Sequence, residues 1–236
     1  MSELKEGTAQ ASPVDAVRKP NLKLWTGLTI ASFAVLLPMA LLWAPEDEAQ
    51  GAAQRIFYIH VPSAWIGFLA FGVVFVASIA VLSTSKRKWD DLAAASAEVG
   101  VIFTLAVVLS GPIWGKSSWG IWWTWDPKLT AVFILLCMYL SYLALRSYVT
   151  EPLRRARFSA VLGIVAFLDI PIIVMAVQWW RGQHPESVMT GDGMESEMAI
   201  TLMVGNVAFT FLFLLLLKTR MYINALKRAR IEEMSE

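Results

Sequence analysis

The stretch Pro62-Ser-Ala-Trp-Ile-Gly-Phe-Leu-Ala-Phe-Gly-Val-Val-Phe-Val-Ala-Ser-Ile-Ala-Val-Leu-Ser-Thr84 decides the fold. It holds no Asp, Glu, Lys or Arg, and as a helix rising about 1.5 Å per residue it is long enough to cross a hydrocarbon core about 30 Å thick. Backbone groups in hydrocarbon must be paired within the segment, and the run lacks the two-residue alternation of a barrel strand, so it reads as a helix. Five further runs of the same kind flank it, at 24–43, 92–113, 129–148, 159–178 and 199–217. The expected fold is an all-α integral membrane protein with six transmembrane helices. Composition agrees: 57% of the 236 residues are hydrophobic and 17% charged, against about 25% charged in an ordinary soluble domain.

Charge sets the expected orientation. Six spans put both termini on one side. That side carries sixteen lysines and arginines, from Lys5 to Arg230, while the other has only Arg55, Lys116, Lys128 and Arg181. Cationic loops stay in the cytoplasm. We therefore expect a cytoplasmic segment 1–23, a membrane domain 24–217 and a cytoplasmic tail 218–236 that continues the last helix toward anionic lipid headgroups. Three outer loops follow at 44–61, 114–128 and 179–198. The polar start precedes an apolar run long enough to span, so no cleavable signal peptide is expected. No GxxxxGK[ST] loop occurs, which excludes ATP hydrolysis by that route; no enzymatic activity and no nucleic-acid partner are expected.

The densest local feature is Trp114-Gly-Lys-Ser-Ser-Trp119-Gly-Ile-Trp122-Trp123-Thr-Trp125-Asp126-Pro-Lys128, with five of the chain's eleven tryptophans. Trp43, Trp65, Trp179 and Trp180 lie on the same side, and only Trp25 and Trp89 on the other. An interfacial aromatic belt would populate both sides. Clustered indoles beside glycines instead offer a flat, polarisable surface edged with N–H donors, suited to a large planar ligand. Asp126-Pro127 opens the fourth span as an N-cap and first-turn proline, which explains the pair without catalysis.

The two histidines, His60 and His184, fall in or beside outer loops, each close before a proline. A single surface histidine is ordinarily just solvated. Two on the tryptophan face could supply both axial nitrogens to a haem iron, whereas zinc would need three or four protein ligands. The four outer cations lie near these histidines or the tryptophan segment; they are either snorkelling interfacial residues or partners for propionates. Asp169, two residues before Pro171 in the fifth span, could line a pathway or pair with backbone freed by the proline. Glu98 reads as interfacial. Cys137, the lone cysteine, reads as packing, since it has no partner for a disulfide.

Trp119-Gly-Ile-Trp-Trp-Thr-Trp-Asp126 resembles the WWD signature of haem-handling proteins in cytochrome c biogenesis. Arg55-Ile-Phe-Tyr-Ile-His60-Val-Pro-Ser-Ala-Trp65, Asp169-Ile-Pro-Ile-Ile173 and Gln178-Trp-Trp180 extend the likeness, which is greatest to the haem exporter protein C family. The resemblance implies that haem b is bound at the periplasmic face of the bacterial inner membrane and delivered to a periplasmic haem chaperone. It implies a site of His60 and His184 as iron ligands with Trp114, Trp119, Trp122, Trp123, Trp125 and Asp126, and Arg55, Lys128 and Arg181 toward the propionates; many relatives carry arginine where Lys128 stands. The partners implied are ABC-transporter permease and ATPase subunits and a small single-span membrane subunit. A cytochrome b-type electron-transfer subunit and a haem or solute permease subunit are the alternatives.

Overall fold

The computed structural model describes residues 12–48, 50–180, 182, 184 and 194–235. Six helical stretches in it are long and apolar enough to cross a membrane: Leu22–Trp43, Ala52–Thr84, Arg87–Trp119, Pro127–Tyr148, Pro152–Trp179 and Ser196–Met234. Arg181 lies outside the described residues.

Helix α1 (Leu22–Pro38) starts at the Asn21 cap and widens after Pro38 into a π-turn, Met39–Trp43. The Arg55 guanidinium contacts the Leu41 and Ala40 carbonyls at this end and pairs with Glu46 at 3.7 Å. Helix α2 (Phe57–Thr84) follows a 3-10 turn, Ala52–Ile56. Ser85, at φ 51°, closes it and allows an immediate reversal into α3 (Arg87–Trp119), which ends at Gly120 with φ 76°. Helix α4 (Pro127–Tyr148) starts from Asp126, whose Oδ1 accepts from the Leu129 amide at 2.9 Å. Helix α5 (Pro152–Phe167) starts from Glu151, which accepts from the Leu153 and Arg154 amides at 2.8 Å each; those bonds hold its carboxyl below the usual carboxylate range.

The fifth span is two helices rather than one. It breaks at Leu168 before α6 (Asp169–Trp179), because Pro171 has no N–H to continue the ladder. Asp169 does not satisfy the freed backbone: it is buried, and its Oδ2 has no hydrogen-bond partner among the described residues. Helix α7 (Ser196–Ser235) runs 40 residues, through the last span and into the tail.

Two outer loops are shorter than the sequence suggests. Helix α3 continues through Ser117 and Ser118 to Trp119, so residues 114–119 are helical, and α2 starts at Phe57, so His60 is helical too. The polar residues of 115–118 do not break the helix: Ser117 Oγ donates to the Ile113 carbonyl one turn back.

Helices α2 and α3 form the central seam and contribute to both apolar cores, one shared with α1 and α7, the other with α4, α5 and α6. The approach is tightest at Gly100, where an added Cβ would come within 2.6 Å of the Phe71 ring. That ring cannot yield, since it stacks on Tyr139 at 3.5 Å and 4°. At one end of the bundle Ser12 donates to Glu233 at 2.6 Å, so both ends of the described chain meet there. At that same end α3 supplies three carboxylates to cross-helix pairs: Asp90 to Arg146 of α4, and Asp91 and Glu98 to Arg228 and Arg220 of α7.

Gly100→Ala is expected to lower thermal stability in detergent by about 1–3 kcal/mol. Gly27→Ala, where a Cβ meets nothing within 4 Å, should leave it unchanged. Equal melting temperatures for the two variants would show that the seam is not tight at Gly100.

Candidate functional site

At the opposite end, α2, α3 and α4 enclose a pocket of about 260 Å³, with Ile173 of α6 and Asn206 of α7 in its wall. Its surface is mostly apolar, from Phe68, Val107, Val132 and Ile173, and into this wall are set both histidines, Lys128 and four indoles. His60 comes from the first turns of α2. Its Nδ1 lies 2.9 Å from Ser110 Oγ on α3, and Gly111 leaves space beside its Cε1.

The serine decides the tautomer. Ser110 Oγ donates its only proton to the Ala106 carbonyl at 2.7 Å. It can therefore only accept from His60, so Nδ1 carries the hydrogen and Nε2 keeps its lone pair. This is the arrangement by which outer partners orient metal-ligating imidazoles.

His184 arrives from the segment between α6 and α7. The rings of His60 and His184 each stand 6.2 Å from the Trp114 ring, one on a tilted and the other on an edge geometry. Trp114 is itself fixed: it is 8% exposed, donates through Nε1 to Gln50 at 2.6 Å and packs on Trp119 at 5.3 Å. Among the described residues no group of three or more His, Cys, Asp or Glu could hold a bare metal ion. Two imidazoles suit an iron that already carries a macrocycle's nitrogens.

The tryptophans divide. Trp114, Trp119 and Trp123 line the pocket, together with Trp65 of α2. Trp122 and Trp125 are 60% and 71% exposed and lie outside it, Trp125 meeting Trp123 edge-on at 5.6 Å. Trp123 Nε1 and Asn206 Oδ1 are buried at the pocket with no partner among the described residues, which leaves a donor and an acceptor for a ligand. Of the outer cations, Lys128 lines the pocket, Lys116 donates to the Gly120 carbonyl at 2.9 Å, and Arg55 is spent on the end of α1. Asp126 is a cap, and Gly182 rests so close to it that a Cβ there would come within 3.3 Å of the carboxyl group. Ser110, Gln50, Asn206 and Gly182 carry no signal in the sequence: each acquires its role only across a helix interface or between loops.

A pocket with two imidazoles, indole walls and a lysine lies at one end of a helical bundle with six helices able to cross a membrane, which places the chain among multi-pass membrane proteins. Comparison with known proteins gives the particular family. A family profile described as Heme exporter protein C matches residues 7–236. The chain is 40% identical over 203 residues to Heme exporter protein C of Bradyrhizobium diazoefficiens, covering 85% of this chain and 77% of that one. It is 33% identical over 231 residues to Heme exporter protein C of Paracoccus denitrificans, covering 94% and 95%. It is also 30% identical over 194 residues to a ccmC-like mitochondrial protein of Marchantia polymorpha named for cytochrome c biosynthesis, covering 80% and 82%. The chain belongs to the haem exporter protein C family, a membrane-protein family of cytochrome c maturation.

Asp126→Ala removes the α4 cap and is expected to cost about 1 kcal/mol. Asp126→Asn, which caps equally well, should melt like the parent. A loss of stability in Asn as large as in Ala would assign the carboxylate a charge role instead.

Proposed function

We propose that this protein holds haem b, as cargo, at the tryptophan end of the bundle and delivers it to a periplasmic haem chaperone for cytochrome c maturation. The observation that carries the proposal is the pocket in which His60, with Nε2 available, and His184 flank one buried indole. The sixteen-to-four split of cations supports a cytoplasmic position for the termini and a periplasmic one for the pocket, in a bacterial inner membrane. Within that reading His60 and His184 are the axial ligands. Trp114, Trp119 and Trp123 wall the macrocycle, and Lys128 meets a propionate. Haem supplies an iron able to take two further nitrogens; the chain's part is to orient the imidazoles and exclude water.

An enclosed volume of about 260 Å³ is below the roughly 300–1,000 Å³ of sites that bury a drug-sized ligand. Part of the macrocycle would therefore lie outside, near exposed Trp122 and Trp125, where an acceptor can reach it. ATP-driven steps belong to partner ABC-transporter permease and ATPase subunits, joined by a small single-span subunit. One observation favours a second reading: His60 is on a helix, as the ligands of a resident b-type haem usually are. Exchange separates the two. Haem held for delivery passes to excess apomyoglobin, while a resident electron-transfer haem stays.

The purified protein should show a six-coordinate low-spin haem spectrum, with His60→Ala and His184→Ala each losing haem or converting it to a lower coordination. Ser110→Ala should weaken haem affinity by about 10–100-fold, and Ser110→Thr, which keeps the hydroxyl, should not. A spectrum unchanged in both histidine variants would remove the ligand assignment.

A further inference from the structure

A second cavity lies at the other end, where the two ends of the described chain meet. It encloses about 770 Å³ between the α2–α3 turn, α3, α4, the start of α5 and α7. Eight cationic side chains and three carboxylates line it. The three carboxylates are already taken: Asp90 by Arg146, Asp91 by Arg228 and Glu98 by Arg220. Arg87 pairs with Glu232 of the tail at 3.6 Å. Lys86, Arg155, Arg157 and Lys227 remain, converging from three different elements, with no carboxylate within 4.0 Å among the described residues. Arg155 Nε is moreover buried without a hydrogen-bond partner.

Four like charges facing one cavity repel one another, and a guanidinium N–H shut off from water and left unbonded is costly. Both penalties disappear when an anion with several acceptor oxygens occupies the cavity. The walls say what kind. Val81, Ala94, Leu143 and Leu153 are apolar and lie among the charges, so the occupant is amphiphilic. The cavity also stands at the ends of helices long and apolar enough to cross a membrane, the ends that would meet lipid headgroups. A basic pocket between transmembrane helices on this side is the setting in which anionic headgroups are held.

We propose that this cavity is a binding site for the phosphodiester headgroup of an anionic phospholipid, with Arg155, Arg157, Lys86 and Lys227 as its ligands. It is independent of the haem pocket, from which the whole bundle separates it. The bound headgroup joins α5 to the α2–α3 turn and α7, which the Arg87–Glu232 and Arg228–Asp91 pairs already link to each other.

The test is native mass spectrometry and thermal unfolding of the full chain in detergent, titrated with cardiolipin, phosphatidylglycerol or phosphatidylcholine. The parent should retain one anionic lipid and gain melting temperature from it, and should do neither with phosphatidylcholine. Arg155→Gln/Arg157→Gln should weaken lipid retention about 30-fold, and Lys227→Gln, at a side chain not packed in the core, should do so in part. Arg230→Gln removes a tail charge outside the cavity and should leave retention intact. Equal retention of phosphatidylcholine, or an equal loss in Arg230→Gln, would overturn the site. Stabilisation by inorganic phosphate as large as by lipid would overturn the lipid and leave a free-anion site.

Discussion

The close approach of α2 and α3 at Gly100 is the constraint on which the rest of the bundle depends. Phe71 lies on Gly100, Gly67 on Thr104 and His60 on Gly111. These contacts share one antiparallel register, since His60 precedes Phe71 by as many residues as Gly111 follows Gly100. At about 1.5 Å of rise per residue both helices advance about 16 Å over that interval. The absence of a Cβ on residue 100 therefore determines, some 16 Å away, that His60 meets Ser110. A larger residue at 100 would separate the seam and disturb the tautomer of an imidazole that it never touches.

The seam also divides the molecule into two ends of opposite chemistry. At the tryptophan end α3 offers three hydroxyls, two glycines and two indoles, Trp114 and Trp119, and makes no ion pair among the described residues. At the other it offers three carboxylates, each matched to an arginine on α4 or α7. Ion pairs at helix ends sit where water and headgroups lower the cost of charge, and fix how α4 and α7 rotate against α3. That rotation matters at the far end, because Lys128 opens α4 and Asn206 lies on α7, and both must face the pocket.

The spans were legible because hydrocarbon imposes a rule on every residue at once: an apolar run of about twenty with at most one charge reads as a membrane-crossing helix. The tryptophan segment and both histidines were legible as one face for the same reason, since span count assigns every loop a side. What the sequence hid is whatever depends on contact between distant helices. Ser110 lies 50 residues from His60 and looks like any small residue within a span. Glu98 looked interfacial, yet its partner Arg220 is 122 residues away. Loop lengths erred because polar residues at the end of an apolar run do not end a helix: Ser117 bonds the Ile113 carbonyl within α3, which runs on to Trp119. The five tryptophans read as one platform divide into three that line the pocket and two that do not. Composition counts indoles without aiming them.

The two imidazoles are held unequally, and under the proposed function that inequality bears on delivery. His60 stands on a helix at the centre of the bundle, with its ring oriented by Ser110 and backed by Gly111. His184 lies outside any helix, between α6 and α7, and Gly182 beside it rests on the Asp126 that caps α4. Local opening is cheaper for a segment outside regular structure than for a packed helix. Within the proposed function, haem release then begins with the His184 bond, while His60 and the three wall indoles keep the macrocycle oriented toward an acceptor. A site with both ligands on packed helices would hold haem but not part with it, and one with both on loops would release it without orientation.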